Sequence, residues 1–201
     1  MSDDKPVFDE YGTLPGNLQT PAKLVMKYTG WFLDVKTQVF NWAAYKDAID
    51  NRPDVDLVIE QYDSNKIVQQ DNTVDIMVNK IGDLIAKVAG GVFDKGAMTE
   101  RVKNAFTSLE TQENNGFASW SSESSGNNTA FTYRILFAVP NAHVPTDFYA
   151  CVSTVKLVAD IYEKKTWWGL QKTSRHNFSA QVDTMKLACS QNFQPGPRPP
   201  M

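Results

Sequence analysis

The spacing of the hydrophobic residues changes once along the chain, near Asn114, and this change limits the possible folds more than any other feature. Before that point, apolar residues recur every three or four positions, which is typical of helices with one buried face. After it, they alternate with polar residues, which is typical of strands. A run of helices followed by a run of strands predicts an α+β fold with a mainly antiparallel sheet.

Four helices are predicted in the first part of the chain. The first begins with Thr20 as its N-cap and Pro21 at its first helical position, a common arrangement at helix starts. The second begins at Asn41, which is also a favoured capping residue. The third and fourth are predicted over residues 69–93 and 97–111, from stripes of apolar residues at helical spacing.

Strands are predicted over residues 54–62, 117–120, 131–139, 147–163 and 176–191. Apolar residues of the last strand change parity near Asp183, which predicts a β-bulge there. The central strands are apolar on more than one face, so we expect helices on both faces. We therefore predict a single-domain, three-layer α/β/α sandwich over residues 1–193, in which two helical hairpins flank the sheet. Residues 1–19 would form an extended arm, and residues 194–201 a disordered Pro-rich tail.

The net charge of −3 hides an uneven distribution. Residues 1–150 contain 13 Lys and Arg against 20 Asp and Glu, whereas residues 151–201 contain 7 against 3. Two interpretations remain open: the two parts pack on each other, or the basic part binds an anionic partner such as a membrane. The overall acidity argues against nucleic acid as a partner.

The residue patterns of known catalytic and metal sites are missing. No Ser-His-Asp or Cys-His pattern surrounds the two histidines, His143 and His176. Cys151 and Cys189 fall among apolar strand residues, which favours buried free thiols. We therefore predict that the protein is not an enzyme and uses no metal and no cofactor.

No segment predicts a membrane-spanning helix or a signal peptide. The longest apolar run covers residues 88–93, whereas a spanning helix needs roughly 18 residues. The first residues, Met1 to Pro6, lack the basic start and apolar run of a secretory signal. We expect a soluble protein that is cytoplasmic in its producer or released non-classically.

The strongest local feature is a segment between the last two strands, where two adjacent Trp lie among four basic residues. Trp favours the membrane–water interface, and each Lys or Arg near an anionic surface contributes about 1 kcal/mol. The candidate membrane-binding residues are Lys164, Lys165, Trp167, Trp168, Lys172 and Arg175. The alternative is that one Trp packs in the core and that the lysines are ordinary solvated charges.

The strand predicted over residues 147–163 exceeds the roughly 9–11 residues that cross a bilayer in a closed barrel. Lys156 and Asp160 would then have to face a lumen or a neighbouring group, because a charge facing lipid is costly. The candidate membrane-inserting residues are Phe148, Val152, Val155, Leu157, Ile161, Phe178 and Val182. The alternative is a long strand in an ordinary soluble sheet.

Several short segments resemble the cytolytic delta-endotoxins, the Cyt family, in the same order along the chain. These segments are residues 74–80 (VDIMVNK), 104–109 (NAFTSL), 132–142 (TYRILFAVPNA) and 149–152 (YACV). Residues 48–51, residues 167–170 and the spacing within 177–183 are similar to the fungal relative volvatoxin, which looks closer still. The resemblance covers about residues 20–193.

The resemblance implies a pore-forming cytolysin, a haemolytic or cytolytic toxin that acts at the target-cell membrane. It implies direct binding to membrane phospholipids, and a monomer or dimer that becomes a homo-oligomer on the membrane. Strand insertion after the helix layers move and detergent-like disruption remain alternative mechanisms. The alternative function is a non-lytic lipid-binding or regulatory homologue that partners a lytic relative.

Overall fold

The computed structural model of the protein describes residues 9–10, 14–33, 40–114, 118–123 and 128–198. Within these residues the elements, in chain order, are β1 (Asp9–Glu10), α1 (Gly16–Gly30), α2 (Trp42–Asp50), β2 (Leu57–Thr73), α3 (Val74–Ala89), α4 (Lys95–Phe106), α5 (Leu109–Asn114), β3 (Ala118–Ser122), β4 (Thr129–Pro140), β5 (Asp147–Ala159), α6 (Lys164–Trp168) and β6 (Arg175–Ser190).

The strands form one sheet in the order β1-β4-β5-β6-β2, with β3 also beside β4. Only the pairing of β1 with β4 is parallel among the described strands. Residues 129–140 of β4 pair with 148–159 of β5 without interruption, as do residues 147–158 of β5 with 179–190 of β6. This register shows which side chains share a face, because successive residues point to opposite sides.

Helices cover both faces of the sheet. α3 and α4 pack on the face that carries Phe131 and Val182, and α1 and α2 pack on the face that carries Leu136 and Leu187. We name these the α3/α4 face and the α1/α2 face. The predicted three-layer α+β fold with a mainly antiparallel sheet is confirmed.

The local sequence explains well why α3 forms. Thr73 caps its beginning, since the Thr73 side chain accepts a hydrogen bond from the backbone N–H of Ile76 at 3.2 Å. Its apolar stripe, which includes Met77, Ile81 and Ile85, is fully buried. In the same way Asn41 caps α2, as predicted, by accepting from the N–H of Ala44 at 3.0 Å.

Three predicted helix boundaries were wrong. α1 begins at Gly16, before the predicted cap at Thr20, and Pro21 lies buried inside the helix. The helix predicted over residues 69–93 begins only at Val74, because the residues before it belong to β2. The helix predicted over residues 97–111 is two helices, since α4 ends at Phe106 and α5 begins at Leu109.

β2 differs most from its prediction, since it covers Leu57–Thr73 rather than residues 54–62. It is the strand at one end of the sheet and pairs only with β6 among the described strands. Most of its side chains are polar and at least partly exposed, so the alternation of apolar residues that marks a half-buried strand is weak. A polar strand that runs directly into an apolar helix was therefore mistaken for the beginning of that helix.

The parity change in β6 is not a bulge. The pairing of β6 with β5 is continuous through Asp183 and Thr184. Instead, the two helix layers cover different parts of the strand: Phe178, Ala180 and Val182 lie under α3 and α4, while Met185, Leu187 and Cys189 lie under α1 and α2. The apolar residues change sides because the covering layer changes sides.

The end of β5 and the beginning of the tail need correction. β5 ends at Ala159 rather than residue 163. The tail predicted to be disordered from residue 194 is held at its start, because Phe193 is fully buried and Nη2 of Arg52 donates to the carbonyl of Gln194 at 2.6 Å. Residues 1–8, 11–13, 34–39, 115–117, 124–127 and 199–201, which include most of the predicted arm, lie outside the described residues.

Neither a spanning helix nor a metal cluster is found in the part of the chain that the structure describes. No described helix is long and apolar enough to cross a membrane. No group of three or more His, Cys, Asp or Glu side chains in the same residues has an arrangement that could hold a metal ion.

Candidate membrane-binding site

The predicted basic segment, residues 164–175, lies at one end of the sheet, which we name the basic end. Here β5 ends, β6 begins and β2 continues into α3. The backbone N–H of Val74 donates to the carbonyl of Ser174 at 2.9 Å, and that of Asp75 donates to the carbonyl of Lys172 at 3.0 Å. These bonds hold the segment against the beginning of α3.

Trp167 is a core residue in this structure. Its side chain is only 1% exposed, its Nε1 donates to Oγ1 of Thr129 at 2.8 Å, and its ring lies edge-on to Phe131 at 5.2 Å. The folded protein therefore does not present Trp167 on its surface, which corrects its assignment as an accessible membrane-binding residue. Contact between Trp167 and lipid stays a prediction that requires this part of the fold to open.

The four predicted cations are not equally available. Lys164 forms an ion pair with Glu113 of α5, and its Nζ lies 5.9 Å from the ring of half-buried Trp168. Arg175 pairs with Asp71 at 3.1 Å. The exposed residues Lys165 and Lys172 have no ion pair with any described residue. These two lysines are the best-placed cations for an anionic surface.

Two exposed apolar side chains at the basic end were missed from the sequence. Tyr162 is 66% exposed just before α6, and Ile76 is 42% exposed at the beginning of α3. Ile76 lies off the buried stripe of its helix, which is the signal that points to its exposure. Lys172 is bonded beside the beginning of α3, which carries Ile76, and Tyr162 precedes Lys165 closely in the chain. The basic end thus carries both apolar and cationic exposed groups, as expected of a protein that binds at a membrane interface.

The uneven charge of the sequence is largely explained by ion pairs between its two parts. Each of four pairs joins a basic residue after position 150 to an acidic residue before it: Lys156–Glu123, Lys164–Glu113, Arg175–Asp71 and Lys186–Glu60. Only the Lys164–Glu113 pair joins residues of helices, α6 and α5. The two parts do pack on each other, but these pairs mainly connect strands and loops and do not hold the helix layers on the sheet.

All seven predicted membrane-inserting residues are buried, and the structure divides them between the two faces. Val155, Leu157, Ile161, Phe178 and Val182 belong to the core under α3 and α4, whereas Phe148 and Val152 belong to the core under α1 and α2. The structure therefore brings together five of the seven on one side of the sheet.

The half of the sheet nearest the basic end is amphipathic. Its α3/α4 face is mainly apolar, with one polar pair, Ser153 and Thr184, whose hydroxyls bond to each other. The apolar residues of this face are Phe131, Tyr133, Ile135, Val155, Leu157, Ala180 and Val182. Its α1/α2 face carries a polar row, Arg134, Thr154 and Asp183, on three neighbouring strands. The next row toward the basic end contains Thr132, Lys156 and Gln181.

The charges of this polar face have partners. Asp183 accepts a hydrogen bond from the hydroxyl of Tyr62 at 2.7 Å, and burial together with this carboxylate raises the pKa of Tyr62. Lys156 pairs with Glu123 at 2.9 Å. Asp160, which lies beyond the end of β5, accepts from the backbone N–H of Asn177 at 2.9 Å. The mid-strand charges noted in the sequence are thus stabilised by neighbouring groups.

The α1/α2 layer is fixed to the sheet near the opposite end by Arg52. Its guanidinium donates to both oxygens of the Asp56 carboxylate, at 2.8 and 2.6 Å, and lies 4.8 Å from the ring of Phe193. The hydrogen bond to Asp56 raises the pKa of Arg52. Trp42 of α2 also stacks on Tyr62 of β2 at 3.6 Å. The Arg52–Asp56 ion pair and the aromatic stack, rather than the four pairs between the two parts of the sequence, hold α2 in place.

Comparison with solved structures defines the class of fold as that of the delta-endotoxins. The chain is similar to a delta-endotoxin with a TM-score of 0.74 and 18% identity, over 96% of this chain and 87% of the other. It is also similar to the activated Cyt2Ba monomer from Bacillus thuringiensis subsp. israelensis, with a TM-score of 0.73 and 17% identity, over 92% and 98%. At these identities the similarity shows the fold alone.

The sequence carries the identification further. A profile of the Bacillus thuringiensis toxin family matches residues 45–191, and the chain belongs to this family. A curated relative, the type-1Aa cytolytic delta-endotoxin of Bacillus thuringiensis subsp. morrisoni, is 32% identical over 136 residues, which is 62% of this chain and 51% of the relative. The chain spans about half the length of the curated relatives it matches. The predicted resemblance to cytolytic delta-endotoxins is confirmed, and the closer similarity to volvatoxin stays a prediction.

Proposed function

We propose that the protein is a pore-forming cytolysin that binds membrane phospholipids directly, oligomerises and permeabilises the target-cell membrane. The observation that carries the proposal is the amphipathic half of the sheet. It comprises residues 129–137 of β4, 151–159 of β5 and 178–186 of β6. Each stretch is about as long as the 9–11 residues that a strand needs to cross a bilayer. The names of its relatives as cytolytic toxins support the same conclusion.

The two faces of this half have different roles in the proposal. The mainly apolar α3/α4 face turns toward lipid once α3 and α4 have moved away, and Lys186 on this face lies at the end of the half, away from the bilayer midplane. The opposite face, with Arg134, Lys156 and Asp183, turns toward a water-filled lumen. The reverse orientation is disfavoured, because Lys or Arg facing lipid at the bilayer midplane costs about 2–4 kcal/mol per residue.

Contact with the membrane begins at the basic end. Lys165 and Lys172 attract the anionic headgroups, and the exposed side chains of Tyr162 and Ile76 enter the interface. Because the basic end is also the end of the amphipathic half, the strands that would insert lie next to the bilayer after binding.

Oligomerisation follows from the number of strands. Backbone polar groups in a bilayer must be paired, so strands cross it only in closed barrels. β4, β5 and β6 of one chain are too few to close a barrel, since bacterial membrane barrels have at least about eight strands. Several copies must therefore contribute strands to one pore.

Release of trapped dyes from liposomes tests the proposal. The purified protein should release a small dye at micromolar concentration and retain a large dextran, because a pore has a size limit. Release of both markers together would favour detergent-like disruption. Co-sedimentation with the liposomes without any release would contradict lysis and support the non-lytic lipid-binding homologue.

A further inference from the structure

The edge strand β2 does not share the amphipathic pattern of the strands beside it. Its residues 61–67 pair without interruption with residues 180–186 of β6, at the level of the amphipathic half. On the α3/α4 side this stretch carries Gln61, Asp63, Asn65 and Ile67, and on the α1/α2 side it carries Tyr62, Ser64 and Lys66. Both sides of β2 are therefore mainly polar at this level.

A strand of this composition does not fit beside β6 when the α3/α4 face turns toward lipid. Asn65 is paired with Val182, which lies in the middle of the inserting stretch of β6. Asp63 is paired with Thr184 on the same face. Both side chains would then face hydrocarbon, where charged and polar groups are unfavourable. The Asp63 carboxylate is stabilised within β2, since it accepts from Nδ2 of Asn65 at 2.9 Å and from the N–H of Ser64 at 3.0 Å.

β2 is also joined directly to a helix that leaves the sheet in the proposed pore. Thr73 ends β2 and Val74 begins α3, with no residue between them. Movement of α3 away from the sheet therefore pulls on the end of β2. The pairing of β2 with β6 is interrupted by register shifts at residues 59–61 and 67–70, and such shifts disrupt the ladder locally.

The loss of β2 would leave the backbone groups of β6 without partners. Two side-chain contacts between these strands are polar and at least partly exposed: Gln181 donates to Oγ of Ser64 at 2.7 Å, and Lys186 pairs with Glu60 at 3.4 Å. Water replaces contacts of this kind when strands separate. The backbone hydrogen bonds must be remade with another strand, because a bilayer offers no partners for them.

The second copy of the chain supplies that strand. Without β2 the sheet has two unlike edges, β6 at one end and the side of β4 at the other. A contact between β6 of one copy and β4 of the next repeats around a ring, as heterologous interfaces do. Among the described strands, the outer side of β4 is covered by two short ones, β3 with five residues and β1 with two, which this contact would displace.

We propose that β2 is a detachable cover of the pore-forming sheet: on the membrane it leaves β6 together with α3, and the edge of β6 then pairs with β4 of a second copy. The inference rests on the proposed function, in that β4, β5 and β6 insert. It adds what keeps the copies apart in solution, since an uncovered edge strand is a template for pairing. β2 is itself a poor template, because Lys66 and the two register shifts interrupt its outer edge.

A disulfide between β2 and β6 tests the inference. Lys66 and Gln181 are directly paired, so Lys66→Cys combined with Gln181→Cys should form a disulfide on oxidation. The oxidised variant should bind liposomes as well as its reduced form does, but release about tenfold less dye, because a sheet whose edge stays covered cannot close a barrel. Adding dithiothreitol to the bound, oxidised variant should start the release.

Tyr149→Cys combined with Ala188→Cys is the matched control. These two residues are also directly paired, but they join β5 to β6, which the inference keeps together, and they lie outside the amphipathic half. The oxidised and reduced forms of the control should release dye equally. Mass spectrometry checks that each disulfide has formed. The native cysteines, Cys151 and Cys189, are free and buried, so they do not compete on oxidation.

Hydrogen exchange of the unaltered protein gives a second readout that needs no disulfide. On liposomes the amides of residues 61–67 should exchange about tenfold faster than in solution, while those of residues 152–158 in β5 should stay protected. Unchanged protection of residues 61–67 in a protein that releases dye would overturn the inference. Loss of release in the oxidised control as well as in the β2–β6 variant would overturn the particular role of β2.

The same measurements distinguish failure of this inference from failure of the proposed function. If the unaltered protein releases dye and the oxidised β2–β6 variant releases it equally well, only the role of β2 as a cover is refuted. If the unaltered protein releases no dye, yet residues 61–67 lose protection on liposomes, the pore is refuted and the detachment of β2 is supported.

Discussion

Trp167 and Trp168 show how far two neighbouring residues can differ in role. Both belong to the same basic, aromatic segment, and nothing in its composition distinguishes them. The structure buries Trp167 against Phe131 and Thr129, while Trp168 remains half-buried beneath Lys164. Trp167 therefore contributes to stability, and Trp168 is the tryptophan of the pair that is closer to the surface.

Replacing each tryptophan with alanine should separate these roles. Trp167→Ala should lower the free energy of unfolding by about 3–5 kcal/mol, because it removes a fully buried aromatic ring. Trp168→Ala should lower the free energy of unfolding by clearly less, since the ring of Trp168 is only half-buried. Denaturant unfolding measures both values. Equal losses, or no loss for Trp167→Ala, would contradict the assignment of Trp167 to the core.

The two cysteines are predicted to be inert thiols in the folded protein. Burial raises the pKa of Cys151 to about 12 and raises that of Cys189 well above its ordinary value. Because the thiolate is the reactive form, neither residue should react with iodoacetamide at pH 8 until the protein unfolds. Mass spectrometry of the alkylated protein checks this. Rapid modification of either cysteine in the native protein would contradict the burial.

The same shift makes stability depend on pH in the alkaline range. The pKa of Cys151 is higher in the folded state than in the unfolded state, so the buried neutral thiol contributes stability that is fully present below about pH 8.5. That contribution is lost as the pH rises toward 12. Cys151→Ala should therefore flatten the decrease in melting temperature over this range. If the melting temperature of the variant falls with rising pH as steeply as that of the unaltered protein, this contribution of the Cys151 thiol is contradicted.

At the scale of elements, a buried ion pair lies between α2 and β2, and an exposed pair with the same sequence spacing lies on α2. Arg52–Asp56 and Lys46–Asp50 are both four residues apart, but their side chains are 12% and 9% exposed in the first pair and 54% and 55% in the second. Both pairs have the same spacing along the chain, but the buried pair is formed by two hydrogen bonds and the exposed pair by one.

Removing the cation from each pair should give very different losses. Arg52→Ala should lower the free energy of unfolding by about 3–5 kcal/mol, because it leaves the Asp56 carboxylate buried without its partner. Lys46→Ala should cost less than about 1 kcal/mol, as is typical of exposed pairs. Thermal or denaturant unfolding measures both. Similar losses would show that Arg52 does not fix the α1/α2 layer.

The fold was predictable from sequence where one face of an element is buried along its whole length. The apolar stripe of α3 predicted a helix, and the alternation in β4 predicted a strand. The central strands are apolar on more than one face, which predicted helices on both faces of the sheet. β2 was not predictable, because it is polar, lies at the end of the sheet and is mostly exposed. The apparent bulge at Asp183 could not be interpreted without knowing that two layers cover different halves of β6.

The candidate site was predictable in its position but not in its details. The basic segment was found from composition, yet the pairing of Lys164 and Arg175 and the burial of Trp167 depend on residues distant in sequence, Glu113, Asp71 and Thr129. The exposure of Tyr162 also depends on where β5 ends. Local patterns carry no information about such contacts.

At the scale of the whole molecule, the central claim is that the amphipathic half of the sheet crosses the membrane with its α1/α2 face toward a lumen. Lys156 is the charge in the middle of that face. In a pore of this kind, its charge influences which ions pass. The exposed lysine Lys87 of α3 lies on a helix that the proposal removes from the sheet, so its charge should have no such effect.

The reversal potential across a planar bilayer in asymmetric salt tests this claim most directly. The protein should produce discrete conductance steps, and Lys156→Gln should shift the reversal potential toward cation preference, while Lys87→Gln should leave it unchanged. Conductance without discrete steps, or the same reversal potential in all three proteins, would contradict the account.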